Sequence, residues 1–102
     1  MSDRRSELST VLRTVLGLPN VYFQPPESVK MQYPAIVYAL DGIKTVHADD
    51  GVYLSHRRYS VTIIDKNPDS ILVEKMLALP YCSFNRHYTS DHLNHFVFTL
   101  YF

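Results

Sequence analysis

Three histidines and an acid lie close together near the C-terminal end of the chain: His87, Asp91, His92 and His95. Imidazole is a good zinc ligand, and short spacing on a turn brings two rings together. A zinc site needs three or four convergent ligands, however, and at alternating strand positions His87 and His95 need not face each other. We therefore expect surface histidines. The alternative is a small metal- or ligand-binding domain, or an enzyme, that uses His87, His92 and His95.

Cys82, the single cysteine, is the candidate nucleophile, with His87 as its base. Catalytic cysteines lie at electropositive helix N-termini or beside a well-placed base. Cys82 instead follows the predicted end of a helix, where the partial charge is negative. The sequence therefore predicts a buried structural thiol.

Two pairs of acids resemble the carboxylates of a general acid–base site: Asp49 with Asp50, and Asp65 with Asp69. The first pair occupies a predicted turn, where aspartate bonds the backbone, and the second brackets a predicted helix start. No feature implies a pocket that would separate their pKa values. The three glycines are isolated, so the sequence contains no phosphate-binding loop. We predict no enzyme, no catalytic residue, no metal and no cofactor.

Length and charge narrow the class of protein. The chain of 102 residues fits one domain, residues 1–102, and its 46% of apolar residues is ample for a core. Ten basic and ten acidic residues give zero net charge, which disfavours generic nucleic-acid binding and mildly favours association. The polar start and the lack of an apolar run of about 18 residues predict a protein that is neither secreted nor membrane-spanning. The lone cysteine agrees with folding in a reducing cytoplasm.

Apolar periodicity predicts a first helix near the start of the chain. Its single apolar stripe consists of Leu8, Val11, Leu12, Val15 and Leu16. Ser2 or Asp3 is expected to cap its start, and Gly17 followed by Pro19 is expected to end it.

A strand that leads straight into a second helix is predicted in the middle of the chain. Tyr59, Val61 and Ile63 alternate with polar residues, a period of two that marks a strand with one buried face. Asn67-Pro68-Asp69 follows, where an amide cap, a proline and an acid together start a helix. We expect this helix over residues 68–79.

Further strands are predicted over residues 20–24, 35–40, 44–47, 82–88 and 94–102. Asp41-Gly42 and Asp49-Asp50-Gly51 are typical turn sequences, so residues 41–53 are expected to form a hairpin tip or a projecting loop. The order of elements predicts an α+β domain, with a four- to five-stranded, mostly antiparallel sheet and two helices packed on one face. Its expected core residues are Leu12, Val15, Val37, Val61, Ile63, Leu72, Met76, Phe96, Phe98 and Leu100.

Arg57 and Arg58 form the one basic doublet inside a predicted strand. Adjacent strand residues point to opposite faces, so the two arginines cannot form one patch. Either one of them pairs with an acid across a subunit contact, or both are solvated.

Four phrases of the sequence carry a resemblance to a known family: Tyr33-Pro-Ala-Ile-Val-Tyr38, Arg58-Tyr-Ser-Val-Thr-Ile-Ile-Asp65, Asn67-Pro-Asp69 and His92-Leu-Asn-His-Phe-Val-Phe-Thr-Leu-Tyr-Phe102. With the order of elements, they resemble the small tail-completion proteins of long-tailed bacteriophages, called tail terminators, minor tail proteins or minor capsid proteins. The resemblance extends from Ser6 to Phe102. The chain is shorter than many terminators, so a neighbouring neck (head-completion or connector) component is the alternative.

The resemblance implies a structural virion protein of the head-to-tail joining region. Such a protein forms a ring, usually of six copies, that caps the tail tube and later meets the head connector. The implied partners are other copies of the chain, the tail tube protein and the connector proteins. We expect no membrane partner and no specific nucleic-acid binding, although the genome would pass through the ring. No functional residue is transferred from the family.

Contacts between copies are expected at sheet edges and at the turn-bounded segment from Gly42 to Tyr53. Unpaired backbone groups at a sheet edge are natural partners for another chain, and a ring needs contacts between two different patches. The expected interface residues are Lys44, His47, Asp49, Asp50, Tyr53, Arg57 and Arg58.

Overall fold

Two helices and five strands follow one another in the computed structural model, which describes residues 4–25, 30–48 and 51–102. In chain order they are α1 (Arg4–Leu16), β1 (Val21–Phe23), β2 (Ala35–Ala48), β3 (Gly51–Asp65), α2 (Ile71–Leu77), β4 (Cys82–Ser90) and β5 (Leu93–Tyr101). In this described part of the chain, neither helix is long and apolar enough to cross a membrane.

The five strands form one sheet in the order β1-β2-β3-β5-β4. β1 runs parallel to β2, and every other pair of neighbours is antiparallel. Both helices pack on the same face of this sheet and share one core with it. The predicted α+β fold, with a mostly antiparallel sheet and both helices on one face, is therefore confirmed. We call the opposite side of the sheet the helix-free face.

The core forms where the apolar faces of the inner strands meet the helices. Cross-strand pairing places Tyr38, Val61 and Phe98 side by side on β2, β3 and β5. Leu12 from α1 and Met76 from α2 belong to the same cluster, and none of the five side chains is more than 1% exposed. Full burial of one such side chain stabilises the fold by roughly 1.5–3 kcal/mol.

Most of the predicted core residues are buried: Leu12, Val61, Ile63, Leu72, Met76, Phe96, Phe98 and Leu100. Val15 and Val37 are only half-buried, so for these two positions the prediction was wrong. Val15 packs against the margin of the core. Val37 lies on the helix-free face because its neighbours Ile36 and Tyr38 point into the core, and adjacent strand residues point to opposite faces.

A buried hydroxyl pair ties α1 to the sheet. The hydroxyl of Ser9 hydrogen-bonds to that of Tyr38. The Tyr38 ring packs against Phe23 and Tyr59, with ring centroids 4.9 and 5.9 Å away. Among the described residues, every buried side-chain nitrogen or oxygen has a hydrogen-bond partner. The polar groups of this core are therefore satisfied.

α1 ends at a glycine, as predicted. Gly17 has a φ of 75° and donates its backbone N–H to the Arg13 carbonyl at 2.8 Å. A residue in the left-handed region at this position closes the last turn, and glycine adopts that conformation without a steric penalty. The expected caps at the other end, Ser2 and Asp3, lie outside the described residues.

α2 is shorter than predicted and has a different N-cap. Ser70 caps it, because its hydroxyl accepts the Leu72 N–H at 3.3 Å. The Asn67 side chain instead accepts the Asp69 N–H at 2.9 Å and closes a local turn. The prediction of Asn67 as the cap was therefore wrong. The residues from Asn67 to Asp69 form the connection from β3 to the helix.

Asp41-Gly42 is not a turn, and this prediction was also wrong. β2 runs through it, with a register shift between Leu40 and Gly42 that leaves Asp41 as the extra residue of a β-bulge. The Asp41 carboxylate accepts a hydrogen bond from Arg58 Nε at 3.0 Å. Gly42 leaves room for that guanidinium, since a Cβ there would lie 2.7 Å from Arg58 Nη2. The segment after it is therefore part of a long hairpin.

β4 and β5 are joined by a two-residue turn. Asp91 and His92 have φ values of 52° and 62°, and Ser90 pairs with Leu93. Positive φ at both central residues is typical of the type I′ turn, whose twist matches that of the flanking strands. The sequence predicts a strand over residues 82–88 and a turn over 89–92; the turn is confined to Asp91 and His92, because β4 extends two residues further, through Thr89 to Ser90.

Candidate functional site

His87 and His95 lie on opposite faces of the sheet. His87 pairs with Phe96 and contacts its ring at 4.8 Å, whereas His95 is stacked on Tyr88 at 4.6 Å. His87 Nε2 hydrogen-bonds to Asn94 Oδ1 at 3.0 Å. Since neighbouring residues of a strand point to opposite sides, the two imidazoles cannot share a ligand. The structure does not bring these two predicted ligands together.

In the described residues, no group of three or more histidines, cysteines and acids lies close enough to hold a metal ion. His92 is exposed in the turn between β4 and β5. Asp65 accepts the backbone N–H of Asn67 at 3.0 Å, the backbone role expected of an acid beside a turn. The other candidate carboxylates, Asp49 and Asp50, lie outside the described residues.

Cys82 is half-buried at the start of β4 and packs against the margin of the core. It pairs with Leu100, while His87 pairs with Phe96, so the two positions are separated by four residues of β5, roughly 13 Å at the rise of a strand. That distance exceeds hydrogen-bond reach, and His87 therefore does not act as its base. Burial raises the pKa of the Cys82 thiol above its ordinary value of 9.0.

We expect Cys82 to be alkylated by iodoacetamide more slowly in the native protein than in the unfolded chain at pH 8, because the thiolate is the nucleophile and the native pKa is raised. Because burial favours the neutral thiol, its contribution to the free energy of unfolding is complete at any pH below the pKa of Cys82 in the unfolded chain. This contribution is lost as pH rises through the native pKa, above 9.0. Mass spectrometry against time gives the rates, with Cys82→Ser as the blank. Equal rates in the native and unfolded states would contradict the expectation.

Two shallow concavities lie on the surface. One, of about 450 Å³, is at the end of α1 and is lined by Thr10, Arg13, Thr14, Gly17, Leu18 and Pro19. The other, of about 350 Å³, is on the helix-free face and is lined by Pro25, Met31, Val37, Thr62, Ile64, Tyr88 and His95. Neither lining contains a carboxylate or a cysteine. No acid–base pair and no cysteine–base pair is assembled in either concavity.

The most distinctive surface feature is a two-stranded ribbon, formed by residues 43–48 of β2 and 51–56 of β3. β1 pairs with β2 only as far as Tyr38. β5 and the residue after it pair with β3 only from Arg57 onward, where Arg57 and Phe102 exchange two backbone hydrogen bonds. Among the described residues, 44–48 therefore pair only with residues of the segment 51–56, and Ile43 pairs with Arg57 at the base of the ribbon. At about 3.3 Å per residue, the ribbon is roughly 20 Å long, and the molecule measures 51 × 26 × 23 Å.

The predicted interface residues are distributed along this ribbon and at its base. Lys44 and His47 lie in β2, and Tyr53 lies in β3. Asp49 and Asp50 fall outside the described residues.

Arg57 and Arg58, at the base of the ribbon, differ in their exposure and in their contacts. Arg57 is exposed, whereas Arg58 forms a salt bridge with Asp41 of the same chain. Neither of the two expected alternatives, an acid across a subunit contact or full solvation, therefore describes Arg58. The two side chains of the salt bridge are 43% and 50% exposed, so its contribution to stability is small.

β4 is an edge strand, a position that the sequence did not reveal. It is last in the sheet order, and all its residues after Cys82 are exposed. Phe84 and Tyr88 are 48% and 42% exposed, although each contacts an aromatic ring of β5. β4 contains no proline and no lysine, the residues that commonly block an edge. A register shift after Phe84 makes Asn85 a bulge.

No protein-family model and no curated protein matches this chain.

Proposed function

We propose that this chain is a structural virion protein of a long-tailed bacteriophage, which assembles into a ring, caps the tail tube and joins the tail to the head. The ribbon is the observation that carries the proposal. A two-stranded hairpin is at best marginally stable in water unless it packs against something else. A ribbon about 20 Å long that extends from the sheet is therefore best explained as an element that contacts another molecule.

A ring needs one patch on each copy that meets a different patch on the next copy. The ribbon and the exposed edge strand are two such patches on one protomer. Zero net charge adds little electrostatic repulsion between copies. The sequence phrases that resemble tail-completion proteins lie mainly in β2, β3 and β5, the strands that support the ribbon and the core.

In the proposed assembly, six copies form the ring and contact the tail tube protein on one side and the head–tail connector on the other. The protein is assembled in the cytoplasm of the host bacterium and resides in the neck of the virion. The genome passes through the ring without sequence-specific contacts. Lys44, His47, Tyr53 and Arg57 are the proposed interface residues within the described chain, and Asp49 and Asp50, outside it, complete the set.

Light scattering after size-exclusion chromatography tests the ring. We expect six copies of the 11.8 kDa chain, about 71 kDa in total, both with and without a chelator. A monomer at every concentration would contradict the proposal. A monomer carrying stoichiometric metal would favour a metal-binding domain that uses His87, His92 and His95. Electron microscopy with purified tail tubes separates a terminator, which binds the end of the tube, from another neck component.

Deleting residues 46–50 is expected to abolish ring formation and tail joining while leaving the monomer folded. Thr45 pairs with Leu54, so the deletion leaves residues 51–53 as a three-residue loop between two paired positions. Three-residue hairpin loops are common, and the core residues that the structure describes all lie elsewhere in the chain. Circular dichroism measures folding, light scattering measures the mass, and complementation of a phage that lacks the gene measures particle assembly.

The full-length chain expressed in parallel is the control for complementation. If the shortened protein still forms a ring and still supports infectious particles, the ribbon has no role in assembly. If the full-length chain forms a ring but does not complement, the ring is correct and the place of the protein in the virion is wrong.

A further inference from the structure

β4 is the last strand of the sheet, so one of its edges is open. The ribbon extends past the point where β1 and β5 stop pairing with β2 and β3. We propose that β4 is the docking strand for the ribbon of a second copy of this chain, so that a backbone hydrogen-bond ladder joins neighbouring protomers. This inference rests on the proposed ring and adds to it the surface that receives the ribbon.

The outward-facing backbone groups of β4 follow from the turn that ends it. In a type I′ turn the carbonyl of the first residue accepts the N–H of the fourth, which makes Ser90 and Leu93 a hydrogen-bonded pair. In an antiparallel ladder, hydrogen-bonded and non-hydrogen-bonded pairs alternate. Tyr88 therefore bonds to β5, whereas His87 and Thr89 direct their backbone N–H and C=O away from the sheet.

The two open edges match in length. After the bulge at Asn85, β4 continues as a regular strand through residues 86–90. Each strand of the ribbon is six residues long, and among the described residues the backbone N–H and C=O groups along its outer edge pair with no other strand. A third strand would satisfy these groups and stabilise a ribbon that is marginal alone. It would also cover Phe84 and Tyr88, which are exposed on opposite faces of β4.

Pairing of β4 with β4 of a second copy is the competing arrangement. Such a contact uses the same patch on both copies, so it is isologous and stops at a dimer. Pairing of β4 with the ribbon uses two different patches. A row of protomers joined in this way has a free β4 at one end and a free ribbon at the other, and these can meet to close a ring. The ribbon is therefore the occupant that agrees with the proposed function.

Thr89→Pro tests the docking strand. Proline removes the outward N–H of residue 89 and leaves the inward bonds of Tyr88 and Ser90 in place. We expect this variant to sediment and scatter as a monomer, with native circular dichroism. Thr89→Val, which retains the N–H and favours a strand, should form the same ring as the wild type. A Thr89→Pro ring of wild-type mass would overturn this inference and leave the proposed ring standing.

Disulfide trapping tests whether β4 pairs with the ribbon of another copy even if the proline variant does not fold. In a Cys82→Ser background, Thr89→Cys is combined with a single cysteine placed in turn at each ribbon position from 43 to 48 and from 51 to 56. Disulfides require Cα atoms within about 7 Å, so only adjacent strands cross-link. We expect covalent multimers, up to the closed ring, for at least one pair. The inference fails if no pair cross-links, or if Thr89→Cys alone gives a covalent dimer.

Discussion

Replacing Phe98 with alanine is expected to lower the free energy of unfolding by about 3–5 kcal/mol, the usual cost of removing a large buried aromatic side chain. Phe98 is fully buried on β5, which lies between β3 and β4. Its ring packs edge-to-face against Phe84 at 5.6 Å, and its cross-strand neighbour is Val61. Since a domain of this size is stable by only about 5–15 kcal/mol, the loss would be a large fraction of the total.

Phe84→Ala is the matched control for Phe98→Ala. Phe84 is the other ring of the same aromatic pair, but it is 48% exposed on the edge strand. In the monomer its removal leaves no closed cavity, so we expect a clearly smaller loss when both variants are compared as monomers. Urea unfolding followed by circular dichroism gives both values from the transition midpoint and the slope. Equal losses for the two variants would show that the arrangement of β4 and β5 is wrong.

Replacing Leu12 with alanine is expected to lower the free energy of unfolding by about 2–5 kcal/mol. Leu12 is fully buried, and with Leu8 and Leu16 it forms the side of α1 that covers the sheet. Alanine favours the helix at least as well as leucine, so the loss would come from packing and not from helix propensity. The measurement is urea unfolding at several protein concentrations, which separates the stability of the fold from that of the ring.

Leu77→Ala makes the same chemical change in the other helix, at a residue that is 46% exposed. We expect it to cost much less, because nearly half of its surface remains in contact with water. A Leu12→Ala variant as stable as Leu77→Ala would mean that α1 does not cover the sheet in solution.

Local patterns were sufficient to predict the class of most elements. The alternation of Phe96, Phe98 and Leu100 predicted β5 and its buried face, and the i, i+4 spacing of Leu72 and Met76 predicted the buried side of α2. These predictions succeed because periodicity is a property of neighbouring residues. Strand alternation also indicated that His87 and His95 need not face each other, and the structure places the two imidazoles on opposite faces.

The same local patterns failed where a polar contact, either distant or local, decided the conformation. Asp41-Gly42 has the composition of a turn, yet β2 continues through it because Arg58, 17 residues away in the sequence, bonds the bulged aspartate and lies over the glycine. Asn67 does not cap α2 as predicted, because its amide oxygen accepts a hydrogen bond in a local turn; Ser70 is the cap. In both cases a polar contact competed with the local preference and determined the structure.

The sequence by itself determined the α+β class, the two amphipathic helices, and the apolar faces that form the core. Only the tertiary structure decided the strand order, in which β5 lies between β3 and β4 and leaves β4 at the edge. It also decided that the long hairpin extends beyond its neighbours as a ribbon. Strand order depends on pairing between segments far apart in the chain, and every strand offers the same backbone donors and acceptors. Periodicity therefore predicts which face of a strand is buried but not which neighbour it acquires.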